Sequence, residues 1–398
     1  MQNDLPGNYQ DAIPVGMLGI IALPGTEVIA KRIDSYIVQW RREYADKLPK
    51  DDFLHHYIKD SYMIKADFPR FSTGEGKGTL SQSVRGYDLF ILCDCFNYGV
   101  EYEMYGMRYP TSPDEHFANL KRAISAAAGK ERRLTVIMPM LYEGRQHRRS
   151  SRESLDCAMA LQELVSLGVK NIITFDAHDP RVQNAIHLCG FENVPTIYQM
   201  LKSLVKAVPD LQLDKDHLMV ISPDEGGMSR CIFYSNMLGV DIGMFYKRRD
   251  YSVIVNGRNP IIAHEFLGAN IEGKDVVVVD DMISSGDSMI DVCRQLKERG
   301  AQRVFCCASF GLFSSGLARF DKAYEQGIFD KIFTADCMYA PPELMEREWY
   351  ISVRMAKYMS YLIDTLNHDM SLSRLLTPAD RIQRLLVQFG HRIGAPTA

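Results

Sequence analysis

Asp280 and Asp281, closely followed by Ser284, Ser285, Gly286, Asp287 and Ser288, are the residues of this chain whose types and spacing carry most chemistry. Two adjacent carboxylates can accept from the vicinal hydroxyls of a sugar or hold a divalent metal. Loop amides at a helix N-terminus carry partial positive charge, and a glycine lets the backbone approach an anion closely. Serine hydroxyls donate to phosphate oxygens. An acidic pair has no use beside phosphate alone, but it has one beside a ribose that carries a phosphate. The stretch therefore points to a sugar-phosphate site. The plainer alternative is a buried strand with a polar loop.

Four further groups stand at predicted strand ends. Arg145, Arg148, Arg149 and Arg152 lie within eight residues, and guanidinium forks match the oxygens of a polyphosphate; a solvated basic loop is an equal reading. His178 stands between Asp176 and Asp179, where an open α/β sheet places a metal or phosphate ligand. Pro223-Asp224-Glu225-Gly226-Gly227 is a second loop of acid and glycine opening a helix, and Tyr246-Lys247-Arg248-Arg249-Asp250 is basic.

Strands must deliver these groups. Val276 to Val279, four β-branched residues in a row, predict a central strand buried on both faces of a parallel sheet. Met289, Val292, Cys293 and Leu296 then follow helical spacing, with Gly300 at the C-terminal cap. The same strand, loop and helix pattern recurs. Strands are predicted at Gly16 to Leu23, Asp88 to Cys93, Leu134 to Met140 and Asn171 to Phe175, and again at His217 to Ser222, Val240 to Phe245, Arg303 to Ser309 and Lys331 to Ala335. The fold class is α/β, with two related units, each a mainly parallel sheet flanked by helices. Arg41 to Asp60 reads as a charged solvated helix or an insertion loop, and Tyr98 to Pro113 as a loop. Tyr350 to Leu366 reads as an amphipathic helix, and Thr377 to Asp380 as the cap of a final one through Ile382, Leu385, Leu386 and Phe389.

Composition narrows the class. The chain has 398 residues, 46% hydrophobic and 24% charged, enough for two domains with their own cores. A formal net charge of -4 and a pI near 6.2 give no footprint for nucleic acid or an anionic membrane. Cys93 with Cys95 and Cys306 with Cys307 lack a second pair at zinc-binding spacing. Nine cysteines, an odd count with several in predicted strands, fit reduced core thiols of a cytoplasmic protein. No run of about 18 apolar residues predicts a membrane span, and the N-terminus has no signal-type apolar core.

With these loops identified, Val276 to Ser288 resembles the phosphoribosyl diphosphate (PRPP) motif of the type I phosphoribosyltransferase fold. The larger pattern spans about Gly16 to about Leu376. Its blocks are Phe71-Ser72 with Glu75, Ser83-Val84-Arg85-Gly86-Tyr87-Asp88, Tyr142 with Arg145-Gln146, and Ile172-Ile173-Thr174 with Asp176 and His178. Ser222-Pro223-Asp224 with Gly226-Gly227, Lys247 with Arg249, and Val279-Asp280-Asp281-Met282 complete the set. In that order and combination the chain resembles the ribose-phosphate diphosphokinase (PRPP synthetase) family, as a divergent member.

The resemblance implies two tandem type I phosphoribosyltransferase-like domains. Residues 1–195 form the ATP side and 196–348 the ribose 5-phosphate side, with the helices of 349–398 packing back on the first. It implies transfer of the diphosphoryl group of ATP to C1 of ribose 5-phosphate, giving PRPP and AMP. Lys247 and Arg249 would be the catalytic pair. Phe71, Glu75, Arg145 and Gln146 would bind ATP, the first two from a neighbouring subunit of a homo-oligomer. Asp224, Asp280, Asp281, Ser284, Ser285, Gly286, Asp287 and Ser288 would bind ribose 5-phosphate. His178 and Asp224 would hold Mg2+, and phosphate would be an effector. No general base is evident. The chain departs from the family where His147-Arg148-Arg149 replaces Asp-Lys-Lys and where Ser284 replaces an aspartate. Two other classes stay open: a catalytically silent regulatory relative, and a transferase that consumes PRPP.

Overall fold

The computed structural model describes the backbone of residues 12–249 and 261–389, and the side chains of 12–246 and 265–389. These residues divide into two compact units. The first holds 12–195, 336–339 and 354–377; the second holds 196–249, 261–335, 340–353 and 378–389.

In the first unit, strands β1 (Met17–Ala22), β2 (Tyr87–Leu92), β3 (Arg133–Ile137), β4 (Asn171–Phe175) and β5 (Gly190–Val194) lie side by side in that order, all parallel. The apolar runs of β1 to β4 are buried on both faces, as parallel strands under helices must be, and the edge strand β5 is mostly half-buried. Helices α1 (Glu27–Ala45), α2 (Pro113–Ala127) and α3 (Asp156–Ser166) connect them. The start of α2 is fixed by a capping box. The Ser112 hydroxyl accepts from the Glu115 amide at 3.3 Å, and the Glu115 carboxylate accepts from the Ser112 amide at 2.9 Å.

The second unit contains α4 (Ile197–Ala207), β6 (Leu218–Ser222), α5 (Met228–Leu238), β7 (Asp241–Arg249), β8 (Ile261–Leu267), β9 (Asp275–Ile283), α6 (Asp287–Glu298), β10 (Val304–Gly311), α7 (Ala318–Glu325), β11 (Lys331–Ala335) and β12 (Tyr350–Val353). Its seven strands run β8-β7-β6-β9-β10-β11-β12, parallel except for the β7–β8 pair. The valine strand β9 is thus central, as expected, and Val276 to Val279 are fully buried. The chain winds one way from β6 to β7 and the other way from β9 to β11. The order therefore reverses between β6 and β9, the topological switch point where open α/β sheets bind ligands at their strand carboxyl ends.

Several expectations change. The predicted loop 98–113 contains a hairpin of Glu101–Met104 and Met107–Pro110. Its turn residues Tyr105 and Gly106 take φ of 50° and 76°, the twist a two-residue hairpin turn favours. The predicted helix 350–366 begins with β12, and the helix proper is α8 (Ala356–Asn367). The last helix, α9 (Ala379–Gln388), has no side-chain cap. Residues 354–377 group with the first unit, whereas α9 groups with the second, where Arg381 lies over the Tyr198 ring of α4 at 4.7 Å. The described residues of 349–398 are thus divided between the two units.

Arg41, expected in a solvated segment, is buried in α1. Its guanidinium donates to Asp364 at 2.9 and 2.7 Å and to Asn367 at 2.6 Å, and it covers the Tyr62 ring at 4.7 Å. Asn367 donates on to Asp88 at 2.8 Å, and Arg133 meets Asp88 with a two-pronged fork at 2.8 Å. Removing one partner from such a buried network typically costs about 3–5 kcal/mol. Among the described residues, no helix is long and apolar enough to cross a membrane.

Candidate active site

At the switch point of the second unit, two acidic loops stand side by side. Strand β6 ends in Ser222, whose hydroxyl donates to the Asp224 carbonyl at 2.7 Å. That bond turns the chain so that Asp224 Oδ1 accepts from the amides of Gly226 at 2.9 Å and Gly227 at 3.3 Å. One carboxylate oxygen is thereby held by the loop. Helix α5 starts directly after Gly227, and Cys231 on its first turn donates to the Val279 carbonyl of β9 at 3.4 Å.

Asp280 and Asp281 lie within β9 rather than after it, since the strand runs on to Ile283. Asp281 is buried and Asp280 half-buried; the Asp281 amide donates to Asp280 Oδ1 at 2.8 Å. Burial first, and the neighbouring carboxylate second, push the Asp280 pKa well above the ordinary value. Two adjacent carboxylates forced into a sheet interior are held ready for hydroxyl donors or a cation, which would relieve the repulsion.

The serine loop follows at the end of β9. Gly286 has φ of 89°, and a Cβ added there would lie 2.0 Å from the Phe320 ring. Both the backbone turn and the close aromatic floor demand glycine. Helix α6 begins immediately after it, so its first amides face the loop. Ser285 donates to Asp287 at 3.0 Å, Ser284 and Ser314 share a hydroxyl contact at 3.4 Å, and Asp287 is ion-paired with Arg319. Arg319 on α7 was not legible as a site residue, because it lies far along the chain on an otherwise ordinary helix.

In the first unit the candidate nucleotide groups hang on loops. Arg145, Arg148, Arg149 and Arg152 are exposed and make no salt bridge among the described residues. Gln146 donates to the Ser154 carbonyl at 3.0 Å. His147 brings this loop to the end of β4. Its Nδ1 is 3.2 Å from the Arg145 carbonyl, its Nε2 is 3.5 Å from Asp179, and its ring lies 5.3 Å from that of His178. Asp179 is held by the forked Arg181 guanidinium at 2.5–3.1 Å, which lowers its pKa to about 2. Asp179 with Arg181 carries no sequence signal of a site, because acid and arginine two residues apart are common.

Phe71 and Glu75 close a separate tight loop, with the Phe71 amide donating to the Glu75 carbonyl at 2.8 Å and the Phe71 ring 60% exposed. Tyr142, beside the arginine loop, donates to Asp114 at 2.7 Å. Backbone strain gathers at these loops. Tyr105, Glu143, Asp176 and Phe313, four of the six non-glycine described residues with positive φ, adjoin the candidate segments. Lys247 and Arg249 lie on β7, paired with His264 and Ile261 of β8, with a register irregularity before Arg249; their side chains and residue Asp250 are outside the described set.

No group of three or more His, Cys, Asp or Glu side chains among the described residues could enclose a metal. Magnesium usually takes one or two protein ligands and completes its shell with water and substrate phosphates. Asp224, with one oxygen held by loop amides, and the exposed His178 fit such sparse ligation.

Two family models match. Residues 19–168 match the N-terminal domain of ribose phosphate pyrophosphokinase, and residues 191–333 match the phosphoribosyl transferase domain. The chain is 31% identical over 264 residues to ribose-phosphate pyrophosphokinase of Ralstonia nicotianae, covering 64% of this chain and 72% of that protein. Identity to the protein of the same name from Buchnera aphidicola is 30% over 301 residues, covering 73% and 84%. For that of Vibrio parahaemolyticus it is 28% over 316 residues, covering 78% and 90%. In fold, the chain is similar to phosphoribosylpyrophosphate synthetase from Mycobacterium smegmatis, with a TM-score of 0.68 and 18% identity over 88% of this chain and 99% of that one.

Proposed function

The chain belongs to the ribose-phosphate pyrophosphokinase family, and from that premise we propose how its residues divide the work. The protein transfers the diphosphoryl group of ATP to C1 of ribose 5-phosphate, giving PRPP and AMP. The observation that carries the assignment of roles is the second unit's switch point. There a held Asp224, a buried Asp280–Asp281 pair and the glycine-turned serine loop stand on neighbouring strands.

In this reading Asp280 and Asp281 accept from the sugar hydroxyls, and the amides and serines of 284–288 bind the 5-phosphate, with Asp287 shaping the loop through Arg319. Arg145 binds the ATP phosphates, and the Gln146 hydrogen bond to Ser154 sets the loop's path. Phe71 and Glu75, with the ring exposed, serve the adenine of a neighbouring subunit in a homo-oligomer. Magnesium would neutralise triphosphate charge; His178 would be a ligand within the first unit and Asp224 a ligand within the second.

The C1 hydroxyl oxygen bonds to the β-phosphorus while the bond from that phosphorus to the oxygen bridging it to the α-phosphorus breaks, so AMP departs with that oxygen and the hydroxyl proton is released to solvent. Such transfer asks a protein for positioning and charge stabilisation rather than covalent chemistry. Lys247 and Arg249 stabilise the charge that develops on the transferred group, and no side chain is assigned as general base. Phosphate acts as an effector, and the reaction is carried out in the cytoplasm. The reading is tested by incubating the protein with ATP, magnesium and phosphate, with and without ribose 5-phosphate. AMP must form only when the sugar is present. AMP release that ignores the sugar, or thermal stabilisation by ribose 5-phosphate without AMP, contradicts it.

A further inference from the structure

A pocket of about 310 Å³ opens in the first unit between α1 and the first turn of α8. That volume is at the lower end for small-molecule sites, roughly 300–1,000 Å³. None of the loops assigned to catalysis lines it, so it stands independently of the roles proposed above.

Its lining holds three cations, Arg32, Arg354 and Lys357, against one carboxylate, Asp336. Both oxygens of Asp336 are engaged: Oδ1 accepts from the Met355 amide at 2.7 Å, and Oδ2 pairs with Arg32 at 3.3 Å. Among the described residues, Arg354 is exposed and makes no hydrogen bond or salt bridge, although its charge acts on Asp336, and Lys357 lies over the Tyr361 ring at 5.9 Å. With both Asp336 oxygens engaged, the donors of these two cations can turn to an incoming anion. Helix α8 starts here without a side-chain cap, so its first-turn amides add to the positive field.

The pocket also ends a stack of rings. Tyr361 lies on Trp40 at 4.4 Å and 8°, and Trp40 lies on Tyr36 at 5.8 Å and 29°. Tyr36 lines the pocket, whereas Trp40 and Tyr361 do not. It follows Arg32 by four residues on α1, so the end ring and one guanidinium share a helix face.

We infer that this pocket binds an aryl-bearing phosphate monoester, such as a nucleoside monophosphate, with its phosphate on Arg354 and Lys357 and its ring continuing the stack over Tyr36. A guanidinium fork suits phosphate oxygens, and offset ring stacking suits the flat end of the ligand.

Trp40 offers a local readout, because the chain's other tryptophan, Trp349, is buried in the second unit. Tryptophan emission of the full chain is titrated with AMP, phenyl phosphate and inorganic phosphate. A saturable change with AMP and phenyl phosphate is expected, and inorganic phosphate should compete without producing it. Saturation by AMP but not phenyl phosphate narrows the class to nucleotides. Arg354→Ala with Lys357→Ala should weaken binding about tenfold or more, as loss of hydrogen bonds to charged groups does, while basal turnover stays unchanged. Tyr36→Ala should make AMP bind no tighter than inorganic phosphate. The inference is overturned by unchanged affinity in the double variant, by equal binding of AMP and inorganic phosphate to the unaltered protein, or by no saturable change with any probe.

Discussion

The two sheets hold their polar groups in opposite ways. In the second unit the acids sit in or directly after the central strands, with Asp281 buried in β9 and Asp224 held by the amides of the loop that follows β6. In the first, the arginines stand on an exposed loop, and the Phe71 ring projects into solvent. The topologies differ in the same sense. The second sheet reverses its strand order between β6 and β9, and the first runs β1 to β5 without a reversal. A site at a switch point is preorganised by the sheet itself, whereas one carried on loops must be completed by what binds to it. The contrast predicts that changes to the acids and the glycine turn at the second unit's switch point alter both stability and sugar binding, and that changes on the first unit's loops move nucleotide binding alone.

The largest effect falls on Lys247. Lys247→Ala should lower turnover on the order of 10²- to 10³-fold, the usual cost of losing one group that stabilises transition-state charge, with ribose 5-phosphate affinity by calorimetry little changed. Turnover within a few-fold of the parent would remove Lys247 from the catalytic pair. Gly286→Ala comes next. It forces an L residue to φ of 89° and a methyl into Phe320, so it should cost on the order of 1–3 kcal/mol in thermal unfolding. Ribose 5-phosphate binding should fall with it. Normal stability would mean that the loop is not as tightly built as the comparison requires.

Asp280→Asn separates stability from function. A carboxyl whose folded pKa is raised weakens the fold as pH rises above the unfolded value near 4. The amide should therefore raise the melting temperature at neutral pH, while Asp280→Asn with Asp281→Asn raises the KM for ribose 5-phosphate. An unchanged KM would undo the sugar assignment. On the other unit, Arg145→Ala should raise the KM for ATP with no shift in melting temperature, since the side chain is exposed and makes no salt bridge among the described residues. The smallest effect concerns Asp179, whose lowered pKa adds stability above about pH 4 that is lost as pH falls toward 2. Arg181→Ala should move the acid-unfolding midpoint upward, and an unmoved midpoint would mean that the pair adds nothing to the loop.

What could be read in the sequence follows the same contrast. Val276 to Val279 announce a central strand because β-branched residues in a row have few other uses, and Gly286 beside serines announces a turn into a helix. Arg41 misled because a charge in a polar stretch reads as solvated, and its partner Asp364 lies more than three hundred residues away. Tyr105 misled because tyrosine seldom takes a positive φ, so the 101–110 hairpin had no glycine-first or Asn-Gly signal. Arg319 and the His147–His178 approach depend on which strand ends the sheet brings together, which local pattern does not encode.

The most direct measurement follows the fate of ATP labelled at its β-phosphorus, in the presence of ribose 5-phosphate and magnesium. Diphosphoryl transfer predicts that the label leaves with the sugar as PRPP, in amounts equal to the AMP formed. Label retained in ADP, or released without sugar as inorganic phosphate or pyrophosphate, would contradict diphosphoryl transfer and the roles assigned to both units.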